Sequence, residues 1–262
     1  MDYRIAIPSY KRSKAIKEKT LNYILNVCKI EANLVDVFVA NEKEYEDYKY
    51  LQLIGINIII GVVLLHKQRN FIQNYYEENQ CVIQIDDDID SLKIKKGKKT
   101  EVLDNLDAII KIGFKECFKH KTKLFSIGAV DNHFFMNNKI STNLKLCTGG
   151  FFGVIIDKDK SLYLTLEEKE DYERTIKYFI KFKKVVRLNM IAIKTIYYAG
   201  NGGMVDSRTE EEQNKSAIYL CNKYPNLIKI NNKRKSKYTE LRLNHHAIWK
   251  QLNYTSKNIV LR

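Results

Sequence analysis

Residues 81–90 read CVIQIDDDID, in which a short, mostly apolar run is followed at once by four aspartates within five positions. β-Branched residues dominate the run, and such a run bounded by polar residues predicts a buried strand. Ligands on parallel α/β sheets bind beyond the carboxyl ends of the strands. The segment therefore predicts a strand that delivers several carboxylates to the ligand-binding edge of a sheet.

The sequence before this segment alternates strand and helix patterns. Strands are predicted at residues 3–8, 34–40 and 56–63, and helices at 9–27, 42–52 and 69–78. Alternation at this spacing is typical of βαβ units and a parallel sheet. The N-terminal half is therefore expected to be Rossmann-like.

The sequence after it is more mixed. Helices are predicted at residues 103–119 and 172–182, strands at 124–130, 151–156 and 190–198, and a loop over the lysines at 93–99. No period dominates the last thirty or so residues. The predicted fold class is α/β, with a mixed, mostly parallel central sheet flanked by helices in a single domain over residues 1–262.

Composition excludes several classes of protein. Apolar residues make up 45% and aromatic residues 11% of the 262 residues, as in globular proteins. The longest apolar run, residues 58–65, is too short to span a membrane, and the early strand leaves no room for a signal peptide. Five cysteines form no CxxC pair, which favours a reducing compartment and a cytoplasmic protein without a membrane partner.

The net charge of +14 is unevenly distributed. Residues 229–262 carry nine Lys or Arg and one acid, and Lys93, Lys95, Lys96, Lys98 and Lys99 form a second cluster. Such density favours a polyanionic partner through counterion release. The alternative is AT-rich coding, since Lys, Asn, Ile and Tyr are all abundant.

The aspartates themselves predict a metal site. Asp86 and Asp88 stand at alternate positions, and oxygen-only ligands suit Mg²⁺ or Mn²⁺. Such an ion would neutralise a diphosphate leaving group. The alternative is a solvated acidic turn.

Six short motifs occur in an order that resembles the GT-A-fold nucleotide-sugar glycosyltransferases. They are Pro8-Ser9-Tyr10-Lys11-Arg12, Arg69-Asn70, Asp86-x-Asp88, Gly149-Gly150, Glu170-Asp171 and Gly202-Gly203. The set looks closest to the TET-associated glycosyltransferases, which include enzymes that glucosylate hydroxymethylated pyrimidines in DNA. The resemblance covers roughly residues 3–208. It implies a nucleotide-sugar-binding half (1–92), an acceptor-binding half (93–228) and a basic C-terminal segment (229–262).

The resemblance also implies roles for single residues. The residues expected to bind the nucleotide sugar are Pro8, Ser9, Tyr10, Arg12, Arg69, Asn70, Asp86 and Asp87. The metal ligands are Asp86 and Asp88, the catalytic base is Asp171 with Glu170 as the second candidate, and acceptor binding involves Gly149, Gly150, Gly202 and Gly203. His133, which follows Asp131-Asn132 in a predicted polar loop, is a further candidate for acceptor binding.

Each of these residues also has a structural explanation. Ser9 would then cap a helix, the acidic run 167–173 would favour a helix start, the glycines would make plain turns, and His133 would be a surface residue. His245 and His246 could add a third metal ligand or be ordinary exposed histidines.

The sequence is therefore compatible with three functions. The first is metal-dependent, inverting transfer of a sugar, with glucose favoured, from a UDP-sugar to a hydroxymethylated pyrimidine in DNA. The second is the same chemistry on a protein or glycan acceptor. The third is a non-catalytic nucleic-acid-binding protein.

Overall fold

A computed structural model describes residues 1–195, 209–233 and 238–246. Their main feature is a ten-stranded sheet of order β3-β2-β1-β4-β9-β7-β10-β5-β6, with β8 paired to β10. The strands are β1 (Arg4–Pro8), β2 (Val35–Val39), β3 (Asn57–Ile60), β4 (Cys81–Ile85), β5 (Ser91–Lys96), β6 (Lys99–Val102), β7 (Leu124–Gly128), β8 (Ile140–Ser141), β9 (Phe151–Ile155) and β10 (Val186–Lys194). A separate hairpin consists of β11 (Ile228–Ile230) and β12 (Leu241–Leu243).

Helices flank the sheet. They are α1 (Ser13–Ile16), which continues as a π-helical segment (Lys17–Val27), α2 (Glu42–Tyr48), α3 (Leu65–Tyr75), α4 (Leu106–His120), α5 (Glu170–Phe182) and α6 (Glu210–Lys223). Short 3₁₀ turns cover Ala32–Leu34, Lys49–Ile54 and Lys160–Leu162. No helix in the described part of the chain is long and apolar enough to cross a membrane.

The predicted fold class is confirmed. β1 to β4 are all parallel, and the registers place β6, β7 and β10 in the same direction, with β5, β8 and β9 opposed. Every residue of β2 and β4 is buried, as expected for strands covered on both faces. One core packs the π-helical segment and α4 against the sheet, and a second packs α3, α5 and α6 on the other face.

Several element predictions were wrong in detail. The lysines at 93–99 are not in a loop but in the hairpin β5–β6, whose second strand is the edge of the sheet, where charged side chains are tolerated. Helix α6 was not predicted, although Thr209 caps it and three glutamates begin its first turn. β10 begins at Val186, ahead of the predicted 190.

Strand β9 positions the candidate site. It lies antiparallel between β4 and β7, so its first residue, Phe151, is paired with Ile85, the last residue of β4. The amide N–H of Asp86 donates to the carbonyl of Gly150 at 3.1 Å. The segment before β9 thus meets the aspartates at the carboxyl edge.

Candidate active site

The three consecutive aspartates have different surroundings. Asp87 is 5% exposed and accepts hydrogen bonds from the Ser9 hydroxyl at 2.5 Å and from Arg12 at 3.1 Å. Asp86 and Asp88 are half-buried, with side chains 35% and 27% exposed. Because side chains of an extended chain alternate in direction, Asp87 lies inward while its neighbours remain accessible.

Two threonines fix the backbone of this turn. The Thr20 hydroxyl, on the π-helical segment, donates to the carbonyl of Asp86 at 2.7 Å and accepts from the amide of Ile89 at 2.9 Å. The Thr195 hydroxyl donates to the carbonyl of Asp88 at 2.8 Å. Neither threonine stood out in the sequence, since a single threonine far along the chain gives no local signal.

Arg69 connects the aspartate turn to the rest of the site. Its Nη2 donates to Oδ1 of Asp86 at 2.9 Å and to the carbonyl of Gly149 at 3.0 Å, and its Nε lies 3.2 Å from Oε1 of Glu170. Burial disfavours its charged form, but the carboxylates of Glu170 and Asp86 outweigh this effect and raise the pKa of Arg69. At 3% exposure it lies beneath the site and orients the acidic groups.

Glu170 is held between two arginines. Its Oε2 accepts from Nη1 of Arg174 at 2.5 Å, while its Oε1 faces Arg69. The Phe152 ring contacts both guanidinium groups, with ring centroid to Cζ distances of 3.6 Å for Arg174 and 5.1 Å for Arg69. Both oxygens of Glu170 are therefore engaged in structural ion pairs.

Asp171, the next residue, differs from Glu170. Its Oδ1 accepts only the amide of Tyr172, at 2.9 Å, and no described residue donates to its Oδ2. Burial and, secondarily, the negative charge of Glu170 raise the pKa of Asp171 to about 6. Lys169, just before this pair, has a φ of 59°, an uncommon conformation for a non-glycine residue that is frequent at functional sites.

Gly149 and Gly150 bring the two acidic groups together. A Cβ on Gly149 would lie 2.8 Å from Oε1 of Glu170 and 3.8 Å from Cβ of Asp171, and one on Gly150 would lie 3.6 Å from Oδ2 of Asp86. The Gly149 position has no room for a side chain unless Glu170 moves. The absence of side chains at Gly149 and Gly150 thus lets the backbone pass closely between the aspartate turn and the start of α5.

The residues present fit a divalent cation. Oδ1 of Asp86 is bonded to Arg69 and Oδ2 of Asp88 to Arg12, which leaves one carboxylate oxygen on each without a described partner. Mg²⁺ is commonly held by one or two carboxylates together with substrate phosphates. Among the described residues, no group of three or more His, Cys, Asp or Glu side chains is arranged so that it could hold a metal ion, so neither His245 nor His246 joins Asp86 and Asp88 as a third ligand.

The loop after β1 is held from below. The Ser9 hydroxyl contacts Tyr48 at 2.8 Å, the amide of Arg12 donates to the same phenol at 2.8 Å, and the amide of Lys11 donates to Glu44 at 2.7 Å. Ser9 does not cap α1, whose N-cap position is Arg12. Tyr10 remains half-buried beside this loop, and Pro8 ends β1 in the core.

The other predicted site residues have separate positions. Asn70 makes two 2.8 Å hydrogen bonds with the backbone of Leu164 and so anchors the segment before α5. The rings of His133 and Phe134 lie against each other with their centroids 3.9 Å apart. The backbone carbonyl of His133 accepts a hydrogen bond from Lys95 of the β5–β6 hairpin. Gly202 and Gly203 lie outside the described residues. Arg174 was missed, although its position four residues after Glu170 on a helix was a readable signal.

The fold is similar to that of solved GT-A-like glycosyltransferases. TarS 1–349 from S. aureus has a TM-score of 0.53 at 15% identity, covering 85% of this chain and 66% of that one. TarS 1–349 in complex with UDP gives 0.49 at 16% identity with the same coverage, and the mannosyltransferase PcManGT from Pyrobaculum calidifontis, in complex with GDP-Man and Mn²⁺, gives 0.45 at 10% identity, covering 71% and 55%. No protein-family model and no curated protein matches the sequence.

At this identity the likeness shows the fold. The expected glycosyltransferase fold is confirmed, and the finer assignment to the TET-associated group stays a prediction. The chain spans slightly less than two thirds of the TarS fragment.

Proposed function

We propose that the protein transfers a sugar, with inversion, from a UDP-sugar to a hydroxymethylated pyrimidine in DNA, with Mn²⁺ or Mg²⁺ as cofactor. One observation carries the proposal: Gly149 and Gly150 lie between the accessible carboxylate of Asp86 and the carboxylate of Asp171. A donor diphosphate at the first group and an acceptor hydroxyl at the second would meet across this backbone.

The chemistry of the two acidic groups is complementary. Asp86 and Asp88 would hold a divalent ion, which would neutralise the diphosphate as it leaves. Arg69 and Arg12 orient these carboxylates through one oxygen each. Tyr10, whose ring lies 5.0 Å from Nζ of Lys11, would stack on the base.

Asp171 supplies the base. Its open Oδ2 takes the proton of the acceptor hydroxyl while that oxygen forms a bond to the anomeric carbon. The bond from this carbon to the diphosphate breaks, and UDP leaves with the electron pair. Glu170 is excluded from this role because two arginines occupy its oxygens, and it fixes the start of α5 instead.

A nucleic-acid acceptor is supported by charge and exposed aromatic groups. Lys95 of the β5–β6 hairpin contacts the loop in which Phe134 and Phe135 are 81% and 75% exposed. Aromatic rings beside basic side chains bind bases and phosphates together.

The experiment is sugar transfer with radiolabelled nucleotide sugars and Mn²⁺, on DNA with and without hydroxymethylated pyrimidines. Wild-type protein should label only the hydroxymethylated DNA. Asp171→Asn should slow turnover by about 10²–10⁴-fold while UDP binding measured by calorimetry persists. No labelling of either DNA by a wild type that binds UDP would overturn the DNA acceptor, and no UDP binding by the wild type would refute the donor assignment.

A further inference from the structure

Cations without acidic partners among the described residues lie around the segment that leads to Gly149. Lys145 and Arg187 form no ion pair with any carboxylate of the described residues, and Nε of Arg187 is buried without a hydrogen bond. A buried donor without a partner is costly, and such groups in native structures call for an explanation. Oδ1 of Asn143, on the same segment, is also buried and unbonded.

Hydrogen bonds bring this group together from three parts of the chain. Nζ of Lys145 lies 3.5 Å from Oδ1 of Asn189, two residues after Arg187 on β10. The amide side chain of Asn143 donates to the carbonyl of His245 at 2.9 Å, just after Arg242 on β12. The strand, the loop and the C-terminal hairpin thus surround one basic patch, formed by Lys145, Arg187, Arg242 and His245.

The electrostatic surroundings of these groups agree with uncompensated positive charge. Burial and then the charge of Arg187 lower the pKa of Lys145. Burial, followed by Lys145, Arg187 and Arg242, lowers the pKa of His245. Like charges held together favour an anion between them.

Hydrogen bonds connect the segment that carries Lys145 to helix α5, on which the proposed base Asp171 lies. The amide of Cys147 donates to the Thr175 hydroxyl at 2.9 Å, and the carbonyl of Cys147 accepts from Arg174 at 3.3 Å. Both partners lie on α5, about one turn from Asp171. An anion bound at the patch would therefore be held at a fixed offset from the acceptor hydroxyl.

We infer that Lys145, Arg187, Arg242 and His245 form a subsite for a backbone phosphate of the nucleic-acid acceptor. The inference rests on the proposed function, because it names how that acceptor is held. The net charge and the exposed aromatic loop favour a nucleic acid as the source of the phosphate.

The test is fluorescence anisotropy of a labelled single-stranded oligothymidylate without donor or metal. Lys145→Gln combined with Arg187→Gln should weaken binding by about tenfold and reduce the log–log salt slope by about 0.7 for each phosphate that the variant no longer neutralises. Lys111→Gln, on α4 across the sheet, is the matched control and should change little. Arg187→Lys keeps the charge and should retain most of the affinity, which separates charge from folding.

A second arm identifies the source of the anion. Inorganic phosphate, at ionic strength matched with chloride, should displace the oligonucleotide from the wild type and not from the double variant. The inference would be overturned if the double variant bound the oligonucleotide as tightly as Lys111→Gln does. It would also be overturned if the double variant lost phosphate binding while its DNA affinity stayed unchanged. Calorimetry with UDP and Mn²⁺ keeps the two proposals apart, since the subsite can stand even if no sugar is transferred.

Discussion

Asp171 and Glu170 are adjacent acids whose surroundings give them opposite capacities. Two buried arginines hold Glu170, whereas Asp171 keeps an open oxygen and a pKa raised to about 6. A base must be deprotonated to accept a proton, and a pKa near the working pH combines availability with basicity. The different surroundings therefore give different chemical roles to two acidic residues that are adjacent in the sequence.

This difference predicts the pH dependence of the reaction. With a pKa of about 6, Asp171 should lose its proton-accepting form at lower pH, so kcat/KM should fall about tenfold per pH unit below pH 6 and level off above it. Burial also raises the pKa of Asp86 to about 6, so UDP binding should weaken over the same range. Initial rates from about pH 4.5 to about pH 8 measure this profile, with UDP binding followed in parallel. A flat profile over that range, with binding intact, would remove Asp171 from the role of base.

Asp88 tests the metal assignment. Asp88→Asn removes a charged ligand, so Mn²⁺-dependent UDP binding should fall below detection in calorimetry. Asp90→Asn is the matched control, because the carboxylate of Asp90 pairs with Lys19 at 3.6 Å and lies outside the proposed ligand pair. Equal UDP affinity in Asp88→Asn and wild type would show that Asp88 is no ligand.

At the scale of elements, the π-helical segment supports the aspartate turn. π-Helical turns are rare in proteins, and those that occur are often found near functional sites. Here the segment places Thr20, which is fully buried, against the backbone on both sides of the aspartates. The turn is thus fixed by a neighbouring element and not by its own sequence.

Replacing Thr20 should loosen this turn. Thr20→Val keeps the shape but leaves a buried carbonyl and a buried amide unbonded, which should lower the free energy of unfolding by about 1–3 kcal/mol. Urea denaturation measures the change, and Mn²⁺-dependent UDP binding should weaken with it. Thr20→Ser, which retains the hydroxyl, should preserve the binding; if Thr20→Val binds UDP as tightly as the wild type, the threonine has no part in positioning the turn.

At the scale of the whole molecule, positive charge and exposed aromatic groups coincide on the β5–β6 hairpin and the loop beside it. Lys93 and Lys95 stand at alternate positions of β5, and Lys95 reaches the loop of Phe134 and Phe135. Of the basic C-terminal residues, Lys229, Lys233 and Arg242 are described, whereas residues 234–237 and 247–262 are outside the described part of the chain.

The hairpin lysines should contribute to duplex DNA binding. Neutralising Lys93 and Lys95 to Gln should make the slope of log affinity against log salt shallower by about 0.9 for each phosphate that these lysines bind in the wild type. Lys111 and Lys115 of α4, changed in the same way, are the control. Identical slopes in both variants would place the DNA-binding surface elsewhere and favour a protein or glycan acceptor.

Local patterns were sufficient for the parallel half of the sheet and for the aspartates at its edge. The run CVIQI predicted a buried strand, which the structure contains as β4, and alternation along an extended chain sets Asp86 and Asp88 apart from Asp87. The acidic start of α5 was also readable, because carboxylates favour helix N-termini.

Tertiary structure alone decided how these parts meet. The antiparallel insertion of β9 between β4 and β7 brings Gly149 beside Asp171, and burial of Arg69 links Asp86 to Glu170. Such interactions join residues far apart in sequence, and their energies depend on the packing of both cores at once. The sequence by itself therefore determined which chemical groups reach the edge, and only the complete fold determined which of them are paired and which remain open.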